Sequence, residues 1–271
     1  MDILVFKAAL AAYLFSALAY VASVVVRRVH VARIATWLLA AAFVIHAGAL
    51  VLRCMAIGRA PVVGLYDMHS LIAWIMTGGY LAFQFRTKTR VLGIFVAPVA
   101  SVMMIVSSTG LGGAVAASPQ LEHSLVTIHV ILSLAGETLF VLAALAGLMY
   151  LIQDKRIKEK KITRLSRFLP PLRDLDRINE LCLLWGFPLL TLGVLAGSVW
   201  ARVVWGSAWQ WDAKMVWTIL AWAILALLLH QRLAIGWRGH KAALYSVAAL
   251  LVLLLTFVVE KTFFTTVHRF L

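Results

Sequence analysis

A chain of 271 residues that is 63% hydrophobic, only 13% charged and has a mean hydropathy of +0.95 cannot cover a soluble domain with polar surface. Composition therefore excludes a soluble globular protein and points to a polytopic membrane protein. The net charge of +14 would suggest nucleic acid in a soluble chain, but here the basic residues fall in short segments between apolar runs, where membrane orientation accounts for them, and no nucleic acid is expected as a partner.

Crossing the hydrocarbon core takes about 20 apolar residues per helix. Eight stretches qualify, approximately 3–26, 34–52, 69–85, 91–109, 125–152, 181–201, 215–231 and 242–260, which predicts an all-α membrane fold. The first is too long for a signal peptide, is led by Asp2 and Lys7, and is followed by Arg27 and Arg28, so it is expected to remain as a helix. Most of the 25 lysines and arginines follow the first, third, fifth and seventh runs: Arg27, Arg28 and Arg33; Arg86, Lys88 and Arg90; the segment from Lys155 to Arg177; and Arg232, Arg238 and Lys241. The positive-inside rule then places both termini outside, together with 53–68, 110–124, 202–214 and the tail 261–271. One membrane domain spanning 1–271 is expected, with a basic cytoplasmic loop at 153–178, containing Pro170 and Pro171, that lies along the anionic leaflet.

The two cysteines, Cys54 and Cys182, are far apart and form no Cys-x-x-Cys, so there is no thiol redox pair and no Cys-x-x-Cys-His for covalent haem attachment. The outer loop 202–217 is different in kind. It carries Trp205, Trp209, Trp211 and Trp217 beside Asp212 and Lys214, and flat indole faces next to a few polar groups suit a large, planar, partly charged ligand.

Eight histidines are many for so apolar a chain, and a neutral imidazole is the commonest metal ligand among side chains. His129 lies near the outer end of the fifth run and His268 in the outer tail, on either side of the tryptophan loop in sequence. Two such imidazoles can supply both axial ligands of a haem iron while indoles cover the porphyrin, with Arg202, Asp212 and Lys214 available to the propionates or to a ligating ring. The plainer alternative is that these histidines and tryptophans anchor helix ends at the membrane interface. His230 lies near the cytoplasmic end of the seventh run and His46 within the second, where ionisable groups face a cavity or a partner. His69 and His123 face outward as spare or supporting groups, and His30 and His240 fall in basic loops where water solvates them. Glu137, about two turns below His129, is an intramembrane carboxylate and a functional candidate, or else a neutral acid bonded to a serine or threonine.

The pattern Trp-Gly-x-x-Trp-x-Trp-Asp-x-Lys-x-x-Trp over 205–217 resembles the tryptophan-rich "WWD" signature of the cytochrome c assembly, or haem-handling, superfamily. The continuation Thr218-Ile-Leu-Ala-Trp222 with Leu-Leu-Leu-His230, the segment Ile128-His129-Val130, the closing His268, and Arg53, Pro61 and Leu65-Tyr-Asp-Met-His-Ser-Leu71 are similar to system II cytochrome c biogenesis proteins of the CcsA/ResC type. The resemblance implies that haem b is held at the outer tryptophan loop by His129 and His268, with Trp205, Trp209, Trp211, Asp212 and Trp217 around it and His230 as an inner haem ligand. It implies presentation of that haem to an apocytochrome c, alongside a second membrane subunit, in a bacterial cytoplasmic membrane with the site facing the periplasm. The chain would then be a subunit of a cytochrome c haem lyase.

Departures from that pattern are local. Where the family reads Trp-Asp-Pro-Lys-Glu-Thr-Trp, this chain has Ala213, Met215 and Val216, and Ala208 replaces a common aromatic. His268 is followed by Arg269-Phe270-Leu271 in place of Ser-Tyr-Gly. Three rival readings follow: a haem exporter that loads a periplasmic haem chaperone, a haem-related regulatory membrane protein without synthetase activity, and a b-type electron carrier. The last would need histidines paired at similar depth on facing helices, whereas the best pair here lies outside.

Overall fold

The computed structural model of the chain describes residues 2–26, 29–87, 92–110, 124–160, 169–208 and 213–263. They form eight helices: α1 (Asp2–Val26), α2 (Val29–Ile57), α3 (Leu65–Thr87), α4 (Gly93–Ser108), α5 (Ser124–Lys158), α6 (Leu172–Trp205), α7 (Ala213–Leu233) and α8 (His240–Phe263). Each contains or overlaps one of the eight apolar runs. Helix is the form that satisfies every backbone N–H and C=O within one segment, the condition a chain must meet in hydrocarbon. Five helices are long and apolar enough to cross a membrane on their own composition, in α1, α2, α5, α6 and α7, and the apolar stretches Gly93–Ser108 and His240–Leu255 are shorter. Large apolar side chains such as Leu18, Trp37, Val44, Leu195 and Leu251 point outward, while Ser16, Thr36, His46, Gln84, Asn179 and Ser246 are buried. That reversal of the soluble pattern is what lipid as solvent produces.

The helices group into two units, Met1–Glu122 and His123–Phe270. In the first, α1 and α2 are antiparallel, since Ser16 donates to the carbonyl of Ala35, Tyr20 bonds Thr36 at 3.0 Å, and Arg53 pairs with Asp2. α3 returns along α2: His46 Nε2 bonds Ser70 at 2.8 Å, and Trp74 stacks on Phe43. Tyr80 closes a buried polar ladder to Tyr20 and Gln84.

The second unit is an up-and-down arrangement of α5 to α8. Its tightest seam joins α5 and α6, where small residues bring the two backbones together. A Cβ on Gly136 would fall 2.7 Å from the backbone nitrogen of Leu190 and 2.8 Å from the carbonyl oxygen of Gly186. Gly136→Ala is therefore expected to destabilise the unit by about 1–3 kcal/mol, because backbone atoms cannot swing aside as a side chain can. Gly48→Ala, with nothing within 4 Å of the added carbon, should be neutral or slightly stabilising. Thermal melts of the two detergent-purified variants check this contrast.

At the end of the unit where α5 and α7 finish and α6 and α8 begin, charges organise the packing. Arg232 of α7 reaches the Asp176 carboxylate at 3.0 Å and the Asn179 side-chain oxygen at 3.1 Å, and Asn179 donates to Ala143 of α5 and Ser246 of α8. These partners explain why α6 begins at Leu172, earlier than its apolar run: Asp176, Asn179 and Glu180 form a polar first section that packs on Arg232. Pro171 at the N-cap suits this start, because its missing N–H would have no helical partner there. Likewise α5 continues to Lys158, so helical turns occupy both ends of the segment read as a basic loop.

Asp154 accepts from Lys158 at 2.7 Å and from His240 Nδ1 at 2.8 Å, tying α5 to the start of α8. Lys158 chiefly, with His240 helping, holds the Asp154 carboxyl below the usual carboxylate range. A lowered folded pKa means that the stabilisation is present above the unfolded carboxylate value and is lost as pH falls through the folded one. The melting temperature should therefore decline on acidification below about pH 4, less so in Asp154→Asn and less so in high salt. Melts across the acid range, wild type against variant, measure it.

Candidate haem site at the tryptophan end

The opposite end of the second unit brings together the start of α5, the end of α6, the start of α7 and the end of α8. Here His129 lies half-buried on α5, and its Nδ1 is 2.7 Å from the carbonyl oxygen of Gly193 on α6. A carbonyl only accepts, so Nδ1 carries the proton, and in the neutral ring Nε2 carries the lone pair. This is the arrangement that metal-ligating histidines adopt when a backbone carbonyl orients the ring. Gly197, four residues beyond Gly193 and on the same helix face, lies directly against the imidazole.

About two turns beyond Gly193 on α6 the indoles of this end begin. Trp200 is 7% exposed and meets Trp205 edge to face, with ring centroids 5.0 Å apart. Gly206 ends α6 at φ 72°, with its N–H bonded to the carbonyl of Arg202 at 3.1 Å. Only glycine takes that left-handed turn without cost, which accounts for the Trp-Gly pair that opens the motif. Arg202 is exposed on the last turn of α6, and Trp217 is half-buried near the start of α7. Trp222 then fastens α7 to α6, donating to Thr191 at 2.9 Å beside the Phe187 ring. Trp209, Trp211, Asp212 and His268 lie outside the described residues, as does His123. The described end of α8 at Phe263 is at this same end of the unit, and His268 follows it in sequence.

His230 is elsewhere. It is exposed near the far end of α7, 13 residues beyond Trp217 and so about 20 Å along the helix. Arg232, two residues on, is 5% exposed and turned toward α6, and two residues correspond to about 200° of helix rotation. Fixing Arg232 inward therefore turns His230 away from its own unit. Glu137 is exposed on α5, and His240 pairs with Asp154 in addition to meeting solvent.

Within the first unit, His46 is fully buried, with both ring nitrogens within reach of hydroxyls: Ser70 at 2.8 Å and Tyr13 at 3.3 Å. That is the interhelical hydrogen bond of a packing histidine. His69 is half-buried in the first turns of α3. The neighbouring Leu65–Leu71 stretch borders a small cleft, lined in part by Asp2, Phe6, Arg53, Tyr66 and Asp67. Arg53 is shared there between Asp2 at 3.9 Å and Asp67 at 3.4 Å. Burial pushes the Asp67 carboxyl up, against the pull of Arg53.

The sequence offers His129 as a candidate but not the groups that orient it. Gly193 and Gly197 sit in an apolar run, where a glycine reads as packing. The signal that could have found them is their spacing: four residues apart, they share one face of α6.

Comparison with known proteins places these residues in context. A family model described as Cytochrome C assembly protein matches residues 62–268, from the approach to α3 through His268. A protein of Chlamydomonas reinhardtii named cytochrome c biogenesis protein CcsA is 30% identical over 210 residues, covering 75% of this chain and 58% of the relative. Relatives of the same name from Microcystis aeruginosa and Porphyra purpurea are 27% and 28% identical over 248 and 239 residues, covering 74% of this chain in both cases and 76% and 75% of the relatives.

Proposed function

The chain belongs to the cytochrome c assembly protein family, and from that premise we propose that it acts in cytochrome c biogenesis, binding haem b as a substrate at the tryptophan end of α5–α8 and presenting it to apocytochrome c. The observation that carries this reading is the His129 ring, held by the Gly193 carbonyl so that Nε2 carries the lone pair. His268, which follows α8 in sequence, is the second axial ligand in this reading. Trp205, Trp209, Trp211 and Trp217 cover the porphyrin faces, and Asp212 contributes a polar contact at its edge. In this reading the site faces the outside of a bacterial cytoplasmic membrane, an orientation that the distribution of basic residues supports.

The reaction served is addition of a cysteine thiol across each haem vinyl group: sulfur bonds the carbon next to the ring, and the thiol proton ends on the terminal carbon. Reduced iron suits this step because ferric haem promotes oxidation of the cysteines, and two imidazole ligands help to set the potential. The chain's own contribution is to bind and orient. His230, turned outward from its unit, meets a haem whose other ligand comes from a second membrane subunit.

The test is genetic and chemical together. In a host lacking this chain and its equivalents, covalently bound haem on a c-type cytochrome should disappear while the apocytochrome is still made, and the wild-type gene should restore it. Normal covalent haem without the chain would refute the proposal.

A further inference from the structure

Ligation through Nε2 requires more than a histidine in the right place; the ring must be prevented from turning over. α6 supplies two restraints one helical turn apart. The Gly193 carbonyl accepts the Nδ1 proton at 2.7 Å, and Gly197 stands so near that a Cβ there would fall 2.6 Å from Nδ1 and 2.7 Å from Cε1 of the ring. One glycine contributes its oxygen, and the other its missing side chain.

We infer that Gly193 and Gly197 together form a seat for the His129 imidazole, and that Gly197 is a positioning residue which fixes the nitrogen offered to haem iron; the inference rests on the proposed role of His129. The glycines of this seam differ in what they accommodate. An added Cβ on Gly136 or Gly186 meets the facing helix, at 2.7 Å from Leu190 N and 3.1 Å from Gly136 O respectively, and one on Gly193 meets Ser133. At Gly197 the three nearest atoms all belong to the His129 ring. A helix-packing role alone would not require that. The ring is a side chain and yields before a backbone does, so Gly197→Ala should displace the imidazole, break its bond to Gly193 and leave the helix pair standing.

The experiment compares wild type, Gly197→Ala, Gly186→Ala and His129→Ala as full-length, detergent-purified protein loaded with haem. Loss of an outer contact to a metal-ligating histidine typically costs about 10-fold to 100-fold in affinity. Gly197→Ala should lose haem by that factor and lose the ferrous bis-imidazole bands, which added imidazole should restore. Gly186→Ala, a milder crowding of the same seam away from the ring, with its nearest contact at 3.1 Å, should keep both. If His129→Ala loses the bands but Gly197→Ala retains them with wild-type affinity, the seat is wrong and the ligand assignment stands. If His129→Ala matches wild type, the ligand assignment falls and takes the seat with it. Equal loss in Gly186→Ala would reduce the effect to helix packing and overturn the inference. Nitrogen NMR of histidine-labelled, haem-free wild type reads the seat without any variant at α6, with His129→Ala used only to assign the signal. A protonated Nδ1 and an unprotonated Nε2 are expected, and the reverse tautomer would overturn it.

Discussion

Arg232→Ala is expected to destabilise the second unit more than any other single change outside the haem site. The guanidinium is 5% exposed and holds the Asp176 carboxylate at 3.0 Å, the Asp176 carbonyl at 2.9 Å and Asn179 at 3.1 Å, with Glu180 at 4.0 Å. Asp176 also accepts the N–H of Gly239 at the turn into α8. Truncation would leave Asp176 and the Asn179 oxygen without their cation, while Glu180 keeps Arg177 at 2.8 Å. Removing one partner of a buried charge pair costs about 3–5 kcal/mol, and the lower end applies here because Asp176 keeps some access to solvent. For a unit of this size that corresponds to a fall in melting temperature of roughly 6–12 °C. Arg232→Lys should recover only part of it, since an ammonium cannot reach Asp176 and Asn179 in the same plane. A thermal melt within a degree or two of wild type would show that the network contributes nothing to stability.

His129→Ala is the change with the largest expected effect on function. Outer-shell contacts to ligating histidines account for about 10-fold to 100-fold in metal affinity, so loss of the ligand itself should exceed that range. Haem per mole of purified protein, assayed by its pyridine complex, should fall accordingly, and covalent haem on the cytochrome should fall with it. The fold should survive, because His129 is only half-buried and the α5–α6 seam is carried by Gly136, Gly186 and their contacts. A variant that retains haem and supports cytochrome maturation at the wild-type level would remove His129 from the site.

How far the sequence could be read depended on what each residue type signals by itself. Apolar runs as long as a bilayer is thick disclosed all eight helices, because in lipid the hydrophobic stretch and the helix nearly coincide. The coincidence fails where polar residues meet a buried charge. Asp174 to Glu180 read as part of a loop, yet they form the first turns of α6 because Arg232 receives them. Arg232 in turn read as a loop cation that sets orientation, while the structure turns it inward. His129 was legible as a candidate from its place beside the tryptophan loop and from family resemblance. Gly193 and Gly197 were not, since a carbonyl and an absent side chain have no signature in a one-dimensional string. His46 carried a functional option in the sequence that the Tyr13 and Ser70 hydroxyls account for as packing.

Absorption spectra of the purified protein test most directly whether haem is bound at the tryptophan end through two imidazoles. Oxidised and reduced spectra of wild type should show bis-histidine haem, with the bands lost or converted in His129→Ala and His268→Ala, and with these outer bands retained in His230→Ala. A wild-type protein without haem from cells that make haem normally, or spectra unchanged by loss of both His129 and His268, would contradict the account.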